Sequence, residues 1–286
     1  MKFYYFAPIF AIISICQFHP IVRADELVAA GETFLKDLKP LPEGYAKTLY
    51  TEMFFGDFYR VGCGTESLTV RKRNGELVYD CEEVTSFHVK NVRDDTFSST
   101  VTTTKSTLDT HFHPQEISVE EVMKADSGRI ERSTYTITIG SHELTLTTKK
   151  NGEATAKKIP LKSEFIAYNL EWIFQVAGKP AVDSFLLNEL EPQTGEVVPR
   201  KCLITPTKVG YTIKAGLLRT KDTMLYVFKD DTLVFFGLEF PAILERVITK
   251  EHLEKIKDDV VAGKQLTNDE RQVIIEELKE AVIPPP

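Results

Sequence analysis

Three side chains able to ligate a metal recur at alternate positions in one segment of the sequence. Asp109, His111 and His113 are each separated by a single residue. On a β-strand, side chains two positions apart share one face. Imidazole and carboxylate ligands suit zinc or copper, and Glu116 or His142 would complete such a site. The alternative is that the phenylalanine between the histidines points into the core while both histidines face water.

Cysteines are the second set of reactive side chains. Cys63, Cys81 and Cys202 lie in the body of the chain, and an odd number in an oxidising compartment leaves at least one thiol unpaired. A Cys63–Cys81 disulfide needs α-carbons within about 7 Å. Strand pairing about a nearby Asn-Gly turn sets Cys63 opposite Ser86, so a direct bridge requires a bend at the glycines that flank Cys63. Buried thiols are the alternative.

The third set is aromatic and lies in the second half of the chain. These side chains are predicted to line a pocket for an acyl chain or another apolar ligand where a helix enters a curved sheet. The alternative is that they form the core between helix and sheet. They are Tyr168, Trp172, Phe174, Phe235 and Phe236.

Motifs for enzyme chemistry are weak in this sequence. Ser141 and His142 are adjacent, but they fall in a predicted turn without a nucleophile-elbow pattern. The sequence has neither a His-x-x-x-His pair nor a glycine-rich phosphate loop. We therefore expect no enzymatic activity and no cofactor.

The N-terminus has the pattern of an export signal. Lys2 precedes an apolar run, and Val22-Arg23-Ala24 offers a small-residue cleavage site. We expect residues 1–24 to be a signal peptide and the protein to be periplasmic or secreted after cleavage near Ala24. No later run of roughly 18 apolar residues occurs, so we expect no transmembrane segment in the mature chain.

The charge balance is acidic. The chain has 35 basic and 42 acidic residues, a net charge of −7. Loss of Lys2 and Arg23 with the leader would leave 33 bases against 42 acids, or −9. A nucleic-acid surface would show a basic patch instead, so the charge balance argues against this class of partner.

The elements that must position these side chains follow from apolar spacing. Residues 25–46 have helical spacing and predict an N-terminal helical segment. Residues 47–248 alternate by two, which predicts about ten strands of one antiparallel β domain. Residues 249–286 predict a C-terminal helical hairpin. The fold class is therefore mainly β (α+β), a large curved antiparallel sheet or half-barrel with one covering helix and that hairpin.

Local sequence signals predict one turn, one strand register and one long strand of the β domain. Asn74-Gly75 predicts a two-residue turn of the primed type. Pairing about it sets Leu68 against Cys81 and places the apolar residues on one face. A long Thr/Ser-rich strand is expected over residues 97–112.

Helical spacing predicts the remaining elements. Residues 163–176 form the covering helix. Thr249 is an N-cap candidate, and Thr267 with Glu270 has the capping-box form. The two C-terminal helices are expected to pack on each other along a seam of Val260, Val261, Val273, Ile274 and Leu278.

Four short stretches carry a likeness to a known group of proteins. They are Tyr59–Gly62, Leu108 with Pro114, Lys157–Pro160 and Tyr226–Val234. With the order of elements over residues 47–248, they resemble the lipoprotein-localisation-factor-like superfamily of exported bacterial β proteins. The resemblance implies a strongly curved antiparallel sheet wrapped around a helix or an apolar groove, and it brings no catalytic residues.

These observations predict an exported, non-catalytic binding protein. Its target would be an apolar ligand such as a lipid, or an envelope protein. One alternative is a structural or assembly module with a filled core that docks through its C-terminal helices. The other is a periplasmic metal-binding protein that uses the histidine segment.

Overall fold

The structure, a computed structural model, describes residues 24–55, 59–91, 96–150, 152–161, 166–217, 223–238, 243–262, 264 and 266–284. The expected signal peptide lies outside this part of the chain except for its last residue.

The described residues include four helices and fourteen strands. The helices are α1 (Ala24–Lys36), α2 (Leu170–Ala177), α3 (Lys250–Val261) and α4 (Asn268–Val282). The first eight strands are β1 (Ala46–Phe55), β2 (Tyr59–Arg73), β3 (Glu76–Asn91), β4 (Thr96–Leu108), β5 (Pro114–Ala125), β6 (Ile130–Ile139), β7 (Glu143–Lys150) and β8 (Glu153–Pro160). The others are β9 (Ser184–Glu191), β10 (Glu196–Pro206), β11 (Gly210–Leu217), β12 (Thr223–Lys229), β13 (Thr232–Leu238) and β14 (Ile243–Ile248).

All fourteen strands belong to one antiparallel sheet. Strands β1 to β8 form a meander from the middle of the sheet to one edge, and β9 to β14 form a second meander that returns from the other edge. The two meanders join where β14 pairs with β1. The predicted mainly β fold is confirmed, with more strands in the described residues than the ten expected.

The first hairpin has the predicted turn and register. Asn74 and Gly75 have φ angles of 54° and 89°, the left-handed values that a two-residue primed turn requires. Leu68 pairs with Cys81, and both side chains lie in the core on one face of the sheet, here called the inner face. Turn chemistry and apolar alternation therefore agree on this register.

Helix α2 packs against the inner face and completes the main core. Trp172 is 1% exposed and Phe174 is fully buried. The Phe174 ring lies 5.1 Å from that of Tyr226 and 6.4 Å from that of Phe185, both from the sheet. This core draws side chains from strands in both meanders. The sheet therefore curves around α2.

The edge strand β9 is covered along its backbone. The segment before α2 runs beside it, with the amide of Ala167 donating to the Asn188 carbonyl (2.7 Å) and the Leu190 amide donating to the Ala167 carbonyl (3.1 Å). Helix α1 packs against the N-terminal half of β9. There Gly31 approaches so closely that a Cβ atom would stand 1.8 Å from the Leu186 carbonyl oxygen. Such covering blocks edge-to-edge association.

The C-terminal helices begin as predicted but pack differently. The Thr249 hydroxyl accepts from the His252 amide, and Thr267 forms the capping box with Glu270. Val261 and Val273 are 66% and 50% exposed, so the expectation that both lie in a helix–helix seam was wrong.

Each C-terminal helix instead buries its apolar stripe on the outer face of the sheet. Helix α3 forms one cluster with β1, β2 and β14, and α4 forms another with strands of both meanders. The first consists of Leu253, Ile256 and Val260 with Tyr50, Cys63 and Ile248. The second includes Ile274, Leu278, Phe54, Leu225, Val227, Phe235 and Leu244.

Buried charges lie between the sheet and these helices. The Arg60 guanidinium donates to the Glu52 carboxylate at 2.6 Å, and their side chains are 4% and 1% exposed. Arg246 lies 3.9 Å from Glu52 and donates to Glu277 of α4. His252 of α3 lies 3.5 Å from Glu52. Glu52 therefore connects the sheet to α3 directly, through His252, and to α4 indirectly, through Arg246.

Candidate functional site

The predicted metal-ligand segment is a turn. Strand β4 ends at Leu108, so the expectation that Asp109, His111 and His113 share a strand face was wrong. The Asp109 Oδ1 atom accepts from the amides of His111 (2.8 Å) and His113 (3.0 Å), which is an Asx-type turn. Phe112 has a φ of 60° and is fully buried.

Both histidine rings are held by main-chain carbonyls. Nδ1 of His111 lies 3.0 Å from the Leu35 oxygen, and Nδ1 of His113 lies 3.2 Å from the Ile166 oxygen. A carbonyl only accepts, so each Nδ1 carries the hydrogen. In the described part of the chain, no three His, Cys, Asp or Glu side chains are grouped to hold a metal. The metal prediction depended on a strand face shared by the three side chains, and the structure has no such face in this segment.

The predicted Cys63–Cys81 bridge is wrong, because the two thiols lie on opposite faces of the sheet. Cys63 packs against the α3 cluster on the outer face, whereas Cys81 lies in the inner core. Both are free, as is Cys202. Burial raises the pKa of Cys81 to about 12 and also raises the pKa of Cys202. These two are inert buried thiols at neutral pH.

The five predicted ligand-binding aromatics are all buried. Tyr168, Trp172, Phe174 and Phe236 belong to the inner core. Phe235 belongs to the α4 cluster on the outer face, so the five do not line one space. Their burial gives them a packing role, and the ligand role stays a prediction.

Four glutamates that the sequence did not single out meet on the inner face. Glu66 lies on β2, Glu83 on β3, Glu245 on β14 and Glu171 in the first turn of α2. We call these residues the carboxylate cluster. Glu66 pairs directly with Glu83 across β2 and β3, and each of the other two interacts electrostatically with Glu83.

The four carboxyls of the cluster are largely enclosed by protein. Glu66 is 5% exposed, and Glu83, Glu171 and Glu245 are half-buried. Desolvation raises the pKa of all four carboxyls, so protein surrounds them closely even where accessible surface remains.

Burial and mutual repulsion together set the electrostatics of the carboxylate cluster. Burial, followed by repulsion from Glu83, raises the pKa of Glu171 and of Glu245 to about 8. Burial raises the pKa of Glu66 well above its usual range, and repulsion from Glu171, Glu83 and Glu245 adds to this. The Glu66 Oε2 atom is buried and accepts no hydrogen bond from the described residues.

A neighbouring cation is already engaged. Arg200 of β10 donates through Nε to Glu189 and through Nη2 to Glu191 at 2.8 Å. Its charge lowers the pKa of Glu171 only in part, because burial dominates. The carboxylate cluster therefore keeps an excess of acid groups.

One signal in the sequence could have revealed the cluster. Leu68 and Val70 mark the inner face of β2, and Glu66 continues their alternation. Glu83 continues the alternation of Tyr79 and Cys81 on β3 in the same way. A charged residue at a core-facing position of a strand departs from the fold's own pattern, which is expected at functional sites.

A concave surface lies on the outer face of β2 to β5. It is an open groove of about 500 Å³ that includes Asp80, Glu82, Lys105 and Glu116. Its charges are largely compensated, since Asp80 pairs with Arg71 and Glu82 with Lys105 at 3.0 Å. We therefore place the candidate site at the carboxylate cluster.

Comparisons with known proteins add the following. No protein-family model and no curated protein matches the chain. A beta-barrel-like protein of domain of unknown function DUF1849 from Brucella abortus is similar in structure, with 7% identity and a TM-score of 0.49 over 73% of this chain and 98% of that chain. The resemblance to lipoprotein-localisation factors stays a prediction. Within the described residues, no helix has the length and apolar character to cross a bilayer.

Proposed function

We propose that the chain is an exported, non-catalytic binding protein that holds a small ligand at the carboxylate cluster. The observation that supports this most is the Glu66 carboxylate, which is 5% exposed and has an Oε2 atom without a hydrogen-bond donor among the described residues. Export rests on the leader pattern of residues 1–24.

A buried acceptor without a donor is costly to the fold. Leaving such a group unsatisfied costs about 1–3 kcal/mol, and more when it is charged. Folds retain these groups mainly where they have a use, and a ligand that donates to Glu66 would recover the cost on binding.

The electrostatics of the carboxylate cluster differ from those of a two-carboxyl hydrolase. Hydrolysis by two carboxyl groups needs one that stays ionised beside one that stays protonated. In the carboxylate cluster the pKa moves in one direction for all four residues. The four carboxyls therefore do not divide into one group with a raised pKa and one with a lowered pKa.

The other predicted roles have less support. The aromatic set is packed core, and Phe235 borders an outer-face groove that also includes the charged side chains of Lys229, Arg246, Glu277 and Glu280. Val261, Val273 and Ile283 are the exposed apolar side chains of the C-terminal region, and scattered residues of this kind are normal on a surface. Docking through the hairpin stays a prediction.

Native mass spectrometry of protein purified from its own source tests the proposed function. We expect a retained small molecule on the wild type and its loss from Glu66→Gln. The matched control is Glu116→Gln, which removes an exposed carboxylate on the outer face and should retain the molecule. A wild type that carries no ligand, together with no binding of any small-molecule class offered, would contradict the proposal.

A further inference from the structure

We infer that the carboxylate cluster binds an organic cation with more than one ammonium group, of the polyamine class. The inference rests on the proposed function and names the chemistry of its ligand. Three observations carry it: the excess of acid groups, their distribution over separate elements, and the unpartnered oxygen of Glu66.

The excess of acid groups sets the sign of the ligand's charge. Four carboxyls meet on the inner face of the sheet, and the neighbouring guanidinium of Arg200 is engaged by Glu189 and Glu191. A cation would make ionisation of these carboxyls favourable, because an opposite charge within about 4–6 Å stabilises the charged form. An anionic ligand would add to the repulsion.

The distribution of the carboxyls sets the shape of the ligand. They come from β2, β3, β14 and α2, and in the described residues no three acidic, histidine or cysteine side chains converge as metal ligands. A calcium ion needs its oxygen ligands together at about 2.3–2.6 Å. A chain with several ammonium groups can meet separated carboxyls one by one, which fits this arrangement better.

The Glu66–Glu83 pair provides the first contact. Residues directly opposite on antiparallel strands have Cβ atoms about 5 Å apart. A primary ammonium has three N–H donors and no acceptor, so one group can donate to both carboxylates. It would satisfy the buried Glu66 Oε2 atom, which has no donor among the described residues. Further ammonium groups would then reach Glu171 and Glu245.

Calorimetric titration with spermidine tests this inference. We expect saturable binding to the wild type and a loss of affinity of about tenfold or more in the double variant Glu66→Gln/Glu245→Gln, since each change removes a charge-assisted hydrogen bond. The matched control is Glu82→Gln/Glu116→Gln, which makes the same two substitutions at exposed outer-face residues. That control should bind spermidine as the wild type does.

The outcomes separate this inference from the proposed function. An equal loss in both double variants would mean attraction by net charge alone and would overturn the inference. A retained neutral or anionic molecule on the native protein, with no spermidine binding, would overturn it while leaving the proposed function intact. An empty native protein that binds nothing would overturn both. Should the inner-face double variant fail to fold, the single change Glu83→Gln carries the same expectation.

Discussion

Glu66 of β2 lies directly opposite Glu83 of β3 on the inner face of the sheet. Two like charges at directly opposed positions destabilise a strand pair. Burial raises the pKa of both carboxyls, and protonation removes the repulsion. The pair is thus tolerated as neutral acid, and a bound cation would allow it to ionise.

The stability of the protein should fall as the pH rises. The pKa of Glu171 and of Glu245 is about 8 in the folded state against an ordinary 4.5, so the folded state holds more protons than the unfolded state between these values. Their stabilising contribution is complete below about pH 4.5 and is lost as the pH approaches about 8. We expect a higher melting temperature at about pH 5 than at about pH 8.

The variant Glu171→Gln should flatten this dependence, while Glu116→Gln on the outer face should leave it unchanged. The pKa of Asp259 and of Glu270 is lowered, so these groups act on stability only at more acidic pH. A melting temperature that rises from about pH 5 to about pH 8 would contradict the assignment.

Removal of Glu52 should destabilise the protein strongly. The change Glu52→Ala removes the nearest partner of the buried Arg60, at 2.6 Å, and leaves it the more distant carboxylates of Asp259 (3.9 Å) and Glu270 (4.0 Å). Breaking such a buried pair costs about 3–5 kcal/mol. Chemical denaturation measures the free energy of unfolding. The control Glu82→Ala breaks an exposed pair with Lys105 and should cost at most about 1 kcal/mol. Equal effects would show that the Glu52 pair is not an important contact.

The change Gly75→Val should destabilise the first hairpin by about 1–3 kcal/mol. Gly75 has a φ of 89°, and a β-branched residue is strained there although no atom lies near enough to clash. A lower denaturation midpoint with an unchanged slope is the expected result. An unaltered denaturation midpoint would contradict the expected backbone strain at position 75.

Truncation of Trp172 should open a cavity. Trp172 is 1% exposed in the core between α2 and the sheet, so Trp172→Ala should cost about 3–5 kcal/mol of stability. The exposed Val182 provides a control, since Val182→Ala should be nearly neutral. Saturable quenching of the Trp172 emission by a fatty acid would instead favour the predicted apolar pocket.

Export can be checked on the mature protein. N-terminal sequencing should begin at Asp25 or within a few residues of it, because the leader has the form of a cleaved signal peptide. Uncleaved protein recovered from the cytoplasm would contradict the expectation.

The sequence predicted best what is determined locally. Asn74 and Gly75 define a turn by their own φ preferences, and the register of Leu68 with Cys81 follows from the turn. The caps at Thr249 and Thr267 are local in the same sense. Such features depend on a few neighbouring residues, so one sequence suffices to find them.

Prediction failed where a local pattern had two solutions. Alternation from Asp109 to His113 suits a strand, but Asp109 accepts from two amides within its own segment and closes a turn. Val261 and Val273 also have a spacing that suits a helix–helix seam. Each helix instead packs on an apolar surface of the outer face of the sheet, and nothing local in the sequence indicates that.

The carboxylate cluster could not be assembled from the sequence, because its members are far apart in the chain. Glu66 and Glu83 can be related through their hairpin. Glu171 and Glu245 join them only through the curvature of the sheet and the β1–β14 pairing, which no short segment encodes.

The β1–β14 pairing can form only late in synthesis of the chain. Tyr50 pairs with Ile248, 198 positions later in the chain, while the other neighbouring strands of the sheet follow one another in sequence. On the ribosome, the first meander can form hairpin by hairpin, but one side of β1 has no partner until almost all of the chain has been made. Until then, β1 is an open edge in what becomes the middle of the sheet. Unpaired strand edges favour aggregation, so this is where a chaperone would be needed most.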